Sequence, residues 1–221
     1  MITLTERLRT AAELCRTGTV AADVGTDHAR LAVALALTKS KFVYASDLRD
    51  GPLEAARRTV SEYGVTNIQI IKSDGLDRIP FAEDIIICGM GGELIADIIS
   101  RCRFTDENTR FILQPMTKPE FLRRWLYKNG YEIIKESAAY EQDKAYTVML
   151  VRFTGHIEDP DDLLAYTGKI TDKHFLELIA AKLLKNAAAM EISDFARAEG
   201  ENLRKTAELI LEKAGKIKYD S

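Results

Sequence analysis

Cysteine is scarce: Cys15, Cys88 and Cys102 are the only three, and no two share a CxxC spacing. An odd number without paired spacing excludes a disulfide framework and a zinc ribbon, so no metal site is expected. It also points to a reducing compartment, the cytoplasm. Long apolar runs are missing as well. The longest, at 31–37 and 85–90, fall far short of the ~20 residues of a membrane span, so no membrane partner is expected. The opening residues, Met1 to Arg7, become charged at once, and no signal peptide is expected. An excess of either charge is also lacking: 31 basic against 34 acidic side chains leave a net −3. That balance offers no sign of the basic surface typical of a nucleic-acid binder. What is present is ordinary for a globular chain, 46% hydrophobic and 29% charged, which excludes wholesale disorder.

At 221 residues the chain suits one full domain and a smaller appendage. Short β-branched runs alternate with amphipathic segments as far as Phe153. The runs predict strands at 19–24, 42–47, 68–73, 84–89, 109–114, 131–136 and 146–153. Helices are predicted at 5–16, 29–38, 52–63, 92–100 and 119–129. Runs 68–71 and 85–88 are apolar on both faces, as in a parallel strand covered by helices on each side. Strict alternation gives βαβ units and a doubly wound α/β sheet, with the last two strands as an antiparallel edge hairpin joined by about ten polar residues. Residues 154–162 form a polar Gly- and Pro-containing hinge, dividing the chain into domains 1–155 and 156–221. Beyond the hinge, Leu176, Ala180, Leu183, Ala187 and Met190 make one apolar stripe, and Leu203, Ala207, Ile210, Ala214 and Ile217 another. Two such stripes predict an α-helical hairpin of coiled-coil type, turning either near 192–194 or at Gly200.

In a doubly wound sheet, ligands bind at the carboxyl ends of the strands. Those ends carry Asp23, Gly25, Thr26, Asp27 and His28 after the first strand, and Asp47 with Leu48 after the second. Asp74 and Gly75 follow the third, Gly89, Met90 and Gly91 the fourth, and Gln114 with Pro115 the fifth. Asp47 lies 24 positions beyond Asp23 and closes an apolar strand, where a carboxylate accepts hydrogen bonds from a ribose. The first turn holds a single glycine, so the GxGxxG fingerprint of dinucleotide binding is absent. Its two carboxylates would repel a pyrophosphate and suit a cationic sulfonium. S-adenosylmethionine (SAM) is therefore the expected cofactor, with NAD disfavoured. Asp74 and Gly75 would address the adenine, Leu48 would cover one of its faces, and Gly89 to Gly91 would let backbone approach the reacting methyl.

The segments Asp-Val-Gly-Thr-Asp-His-Ala (23–29), Ser-Asp-Leu-x-x-Gly-Pro-Leu (46–53), Ser-Asp-Gly-Leu (73–76), Gly-Met-Gly-Gly (89–92), Ile-Leu-Gln-Pro (112–115) and Trp-Leu-x-x-Asn-Gly-Tyr (125–131) occur in this order. Together they resemble the bacterial tRNA (adenine-22-N1)-methyltransferase family. The resemblance implies a seven-stranded Rossmann-like class I methyltransferase fold, SAM as donor and an adenosine of the tRNA D-arm as acceptor. The chain departs from the family pattern at Arg30, Ala32 and Met116.

Adenine N1 carries an in-plane lone pair, so the reaction needs alignment more than a strong base. The catalytic candidates are Asp27, Gln114 and Pro115, with Gln114 or Asp27 on the polar edge of a flipped adenine. Asp27 would stabilise the cation that forms. His28 suits either proton transfer or a structural hydrogen bond. Phosphate-contact candidates are Arg7, Arg9, Arg16, Arg101, Arg103, Arg123, Arg124, Lys128 and the lysines of the helical hairpin. Trp125, at helical spacing from Phe121, is read as core. A monomer or weak dimer is expected. Competing readings are a methyltransferase acting on protein or small molecules, and a non-catalytic SAM- or nucleotide-binding module.

Overall fold

The computed structural model describes residues 2–217 except 107, 143, 191 and 193–195. Five parallel strands, β1 (Val20–Val24), β2 (Phe42–Asp47), β3 (Ile68–Lys72), β4 (Asp84–Gly91) and β5 (Arg110–Thr117), are joined by an antiparallel pair, β6 (Tyr131–Glu141) and β7 (Lys144–Phe153). Their order is β3-β2-β1-β4-β5-β7-β6, so the chain reverses direction across the sheet between β1 and β4. The expected doubly wound, seven-stranded α/β sheet is present.

Alternate residues of the apolar strands feed opposite layers. Ile85 and Ile87 of β4 pack with Phe111 and Leu113 against α4 (Gly92–Ser100) and α5 (Pro119–Lys128). Ile86 and Ile112 face the other way, onto α1 (Glu6–Leu14) and α2 (Arg30–Thr38), with α3 (Asp50–Tyr63) on the same side. Trp125 packs against the first of these cores and stacks on Tyr131.

Four local expectations are corrected. The ten-residue connection before β7 is mostly strand: β6 and β7 pair as far as Glu141 and Lys144, because cross-strand pairing satisfies backbone groups that a polar loop would leave to water. β4 continues through Gly91 by a bulged register against β5, and α4 begins at once, so the glycine segment is no loop. The polar hinge leads into a short helix, α6 (Asp162–Thr167), capped where Asp161 accepts the Leu164 N–H at 2.7 Å. Gly200 lies inside α8 (Arg197–Gly215), so the chain does not turn there; the other expected position after α7 (Lys173–Met190), 192–194, lies largely outside the described residues. The buried positions of both predicted stripes share one core with Phe175 and Ile170.

Two packing features hold this arrangement. A Cβ on Gly92 would lie 2.4 Å from the Lys118 carbonyl oxygen, a backbone atom that cannot swing aside. Gly92→Ala is therefore expected to cost about 1–3 kcal/mol by prising α4 from the start of α5, measured by denaturant unfolding. Beneath the C-terminal helices, Arg123 is wholly buried. Its Nε donates to Glu136 Oε1 at 2.8 Å and its Nη1 to the Ala165 carbonyl at 2.7 Å. Glu136 Oε2 accepts the Lys169 N–H at 2.6 Å.

Candidate active site

The carboxyl ends of β1 to β4 surround a cavity of about 840 Å³ at the point where strand order reverses. The β1 turn is tied to β2: the Ser46 carbonyl accepts the N–H groups of both Gly25 and Thr26 at 2.8 Å. Gly25 is left-handed, and its missing side chain admits the Met90 methyl, which a Cβ would meet at 2.0 Å. Asp23, Gly25, Thr26, His28, Asp47, Leu48, Asp74, Gly75, Gly89 and Met90 all line the cavity, as does Asp27 at its mouth.

Three of the expected residues do not line it. Gly91 is paired with Thr117 inside the sheet. Gln114 and Pro115 are buried inside β5, which runs on to Thr117, and Gln114 Oε1 accepts the Gly89 N–H. Both therefore stand behind the cavity wall, with Gln114 held against Gly89. Asp27 and His28 are exposed and within 3.5 Å of each other. His28 and Ala29 both adopt left-handed backbone before α2, so the turn projects outward.

The carboxylates differ in environment. Asp47 is nearly buried; its Oδ1 accepts the Arg49 N–H at 2.8 Å, leaving Oδ2 open to a ribose. Asp74 sits on the rim, paired with Arg101 at 3.2 Å. Asp23 accepts the Thr26 hydroxyl at 2.7 Å, yet burial pushes its carboxyl up to about 6. A cationic ligand favours the ionised form and lowers that value, so binding releases protons. Affinity for SAM is expected to be flat above pH 7 and to fall by up to tenfold per unit below about pH 6. Calorimetry from pH 5 to 8 reads this slope, and Asp23→Asn should abolish it.

The expected phosphate contacts are mostly committed elsewhere. Arg16 binds Asp84 at 2.7 Å, Arg101 spans Asp74, Asp77 and Asp97, and Arg124 pairs with Asp162. Arg123 is the buried partner of Glu136. Arg7 lines the cavity together with Thr5 and Leu8, a contribution of the first helix that strand-end reasoning missed. The signal was the acidic or amide partner each arginine finds far along the chain, which no local pattern reveals.

An acidic rim at the switch point, a single-glycine first turn and seven strands with an antiparallel edge define a class I methyltransferase. The residues brought together suit SAM by their chemistry: Asp23 would face the cationic end, Asp47 the ribose, and Asp74 and Gly75 with Leu48 the adenine. The chain belongs to the family described as "Methyltransferase domain", which matches residues 4–149. It is 39% identical over 153 residues to the tRNA (adenine(22)-N(1))-methyltransferase of Bacillus subtilis, an alignment covering 66% of this chain and 64% of that one. A putative tRNA methyltransferase of Mycoplasma pneumoniae is 30% identical, over 76% of this chain and 81% of that protein. A putative tRNA (m1A22) methyltransferase of Streptococcus pneumoniae, solved in complex with S-adenosyl-L-methionine, superposes with a TM-score of 0.81 at 27% identity. That match covers 95% of this chain and all of the other. The resemblance carried by the six motifs is borne out by these relatives, one of which was solved with SAM bound.

Proposed function

We propose that this chain transfers a methyl group from SAM to N1 of an adenosine in the D-arm of tRNA, acting in the cytoplasm as a monomer or weak dimer. The observation that carries the reading is the acidic, pyrophosphate-excluding rim of Asp23, Asp47 and Asp74 around one cavity. When bound, SAM supplies an electrophilic methyl on a sulfonium. The protein's part is alignment, because N1 attacks through a lone pair that needs no deprotonation. N1 lies on the Watson–Crick edge, so the base must leave its stack to reach the mouth. Exposed Leu48 and Leu94 line the cavity and offer apolar faces to adenine rings. Asp27 stands where positive charge develops on the methylated base. Residues 156–221 act as a separate coiled-coil RNA-binding domain, whose Lys182, Lys185, Lys205 and Lys216 are exposed and neutralise phosphates. Because so few arginines remain for that role, binding is expected to be modest, and sensitive to salt as any phosphate contact is.

Transfer of tritiated methyl from SAM to unmodified tRNA, followed by nucleoside analysis, tests the reading. Recovery of 1-methyladenosine supports it; a different methylated nucleoside, or labelling of protein alone, overturns it. In the same assay Asp27→Ala should lower kcat roughly 10-fold, solvent screening keeping the effect below that of an enclosed charge.

A further inference from the structure

We propose that Arg7 is a positioning residue for methyl transfer: it orients the buried Gln114 amide so that β4 bulges at Gly89–Met90 in the shape where donor and acceptor meet. The inference rests on the methyltransferase reading above.

Arg7 sits at the second position of α1, outside every strand-end motif, and its side chain is only 16% exposed. Its Nη1 donates to Gln114 Oε1 at 2.6 Å and touches the Met116 sulfur at 3.1 Å. The same Gln114 oxygen accepts the Gly89 N–H at 3.2 Å, while Nε2 donates to the Pro115 carbonyl at 2.9 Å. A flipped amide would turn its NH₂ group toward two donors, the guanidinium and the Gly89 N–H. Arg7 therefore selects the amide orientation, and through it the backbone of Gly89. That backbone is left-handed, with open space where a side chain would stand, and the next residue reaches over Gly25. One short stretch thus bounds the cavity beside the cofactor turn.

The guanidinium is itself clamped. Its Nε lies 2.9 Å from Glu141 Oε2, the Arg7 N–H donates to Glu141 Oε1 at 3.3 Å, and the group lies over the Tyr146 ring at 5.1 Å. Glu141 also offsets a positive charge that would otherwise oppose the cation forming on the methylated base. Lysine would keep the charge but lacks the planar fork that reaches Gln114 and Glu141 together.

The test measures kcat, KM for tRNA, SAM affinity and thermal midpoint for Arg7→Ala and Arg7→Lys, with and without added guanidinium ion. Arg7→Ala is expected to lower kcat on the order of 10²-fold, as a small misplacement does, with SAM affinity within about 3-fold. Arg7→Lys should be nearly as slow, and guanidinium should restore kcat about tenfold to the alanine variant only. Arg7→Lys carries the same test if the alanine variant does not fold. A loss confined to KM for tRNA would make Arg7 a phosphate contact and overturn the inference. So would unchanged kcat, or a loss that tracks SAM affinity or the thermal midpoint without rescue. Absence of 1-methyladenosine from the unsubstituted chain would overturn the functional reading, and this inference with it.

Discussion

Asp47→Ala weakens SAM binding by roughly 10²- to 10³-fold while leaving the fold in place. A carboxylate at the end of β2 accepts hydrogen bonds from both ribose hydroxyls, each worth about 1.5–3 kcal/mol because the acceptor is charged. Losing the pair costs about 3–4 kcal/mol, and every 1.4 kcal/mol is a factor of ten in Kd. Among the described residues the Asp47 carboxylate pairs with the Arg49 N–H and its guanidinium, and alanine keeps the backbone pairing to β3, so the thermal midpoint should hardly move. Asp47→Asn keeps one acceptor oxygen and should lose only about tenfold. Calorimetric titration with SAM reads both. An alanine variant that binds within threefold of the parent would remove Asp47 from the ribose site.

The second large effect concerns stability. Glu136→Ala leaves the Arg123 guanidinium enclosed with no anion beside it, and removes the acceptor of the Lys169 N–H and the Thr147 hydroxyl. Breaking a buried pair from one side typically costs about 3–5 kcal/mol. For a chain of this size the midpoint should fall by roughly 10 °C or more. Because Arg123 also holds the Ala165 and Tyr166 carbonyls, proteolysis should begin in the segment after Phe153. Replacing Arg123 and Glu136 together with methionine and leucine should recover most of the loss, since the cost lies in the unpaired charge rather than in the absence of the pair. Equal destabilisation by the double substitution would show instead that the network's backbone contacts dominate.

The strand-end carboxylates and glycines were legible because they follow from a local rule. A polar residue closing an apolar parallel strand faces the ligand side of the sheet, and Asp23, Asp47 and Asp74 do so. Gln114 obeyed the same rule in sequence but not in space. Its amide finds Arg7 and Gly89, which draws the side chain behind the cavity wall. The ion pairs of the arginines were hidden for a related reason. A charged residue on a helix reads as solvated until its partner is known, and the partner of Arg123 or Arg16 stands at a distant place in the chain.

By itself the sequence determined the alternation of strands and helices, the two-faced core strands, the apolar stripes of α7 and α8 and the acidic cofactor rim. All of these are written in periods of two or 3.6 residues, or in one residue at a strand's end. Tertiary structure alone decided that β7 inserts between β5 and β6, that β4 runs on into α4 without a loop, and which arginines find acidic partners. Those outcomes depend on which buried group meets which, and pairing between remote segments leaves no local trace.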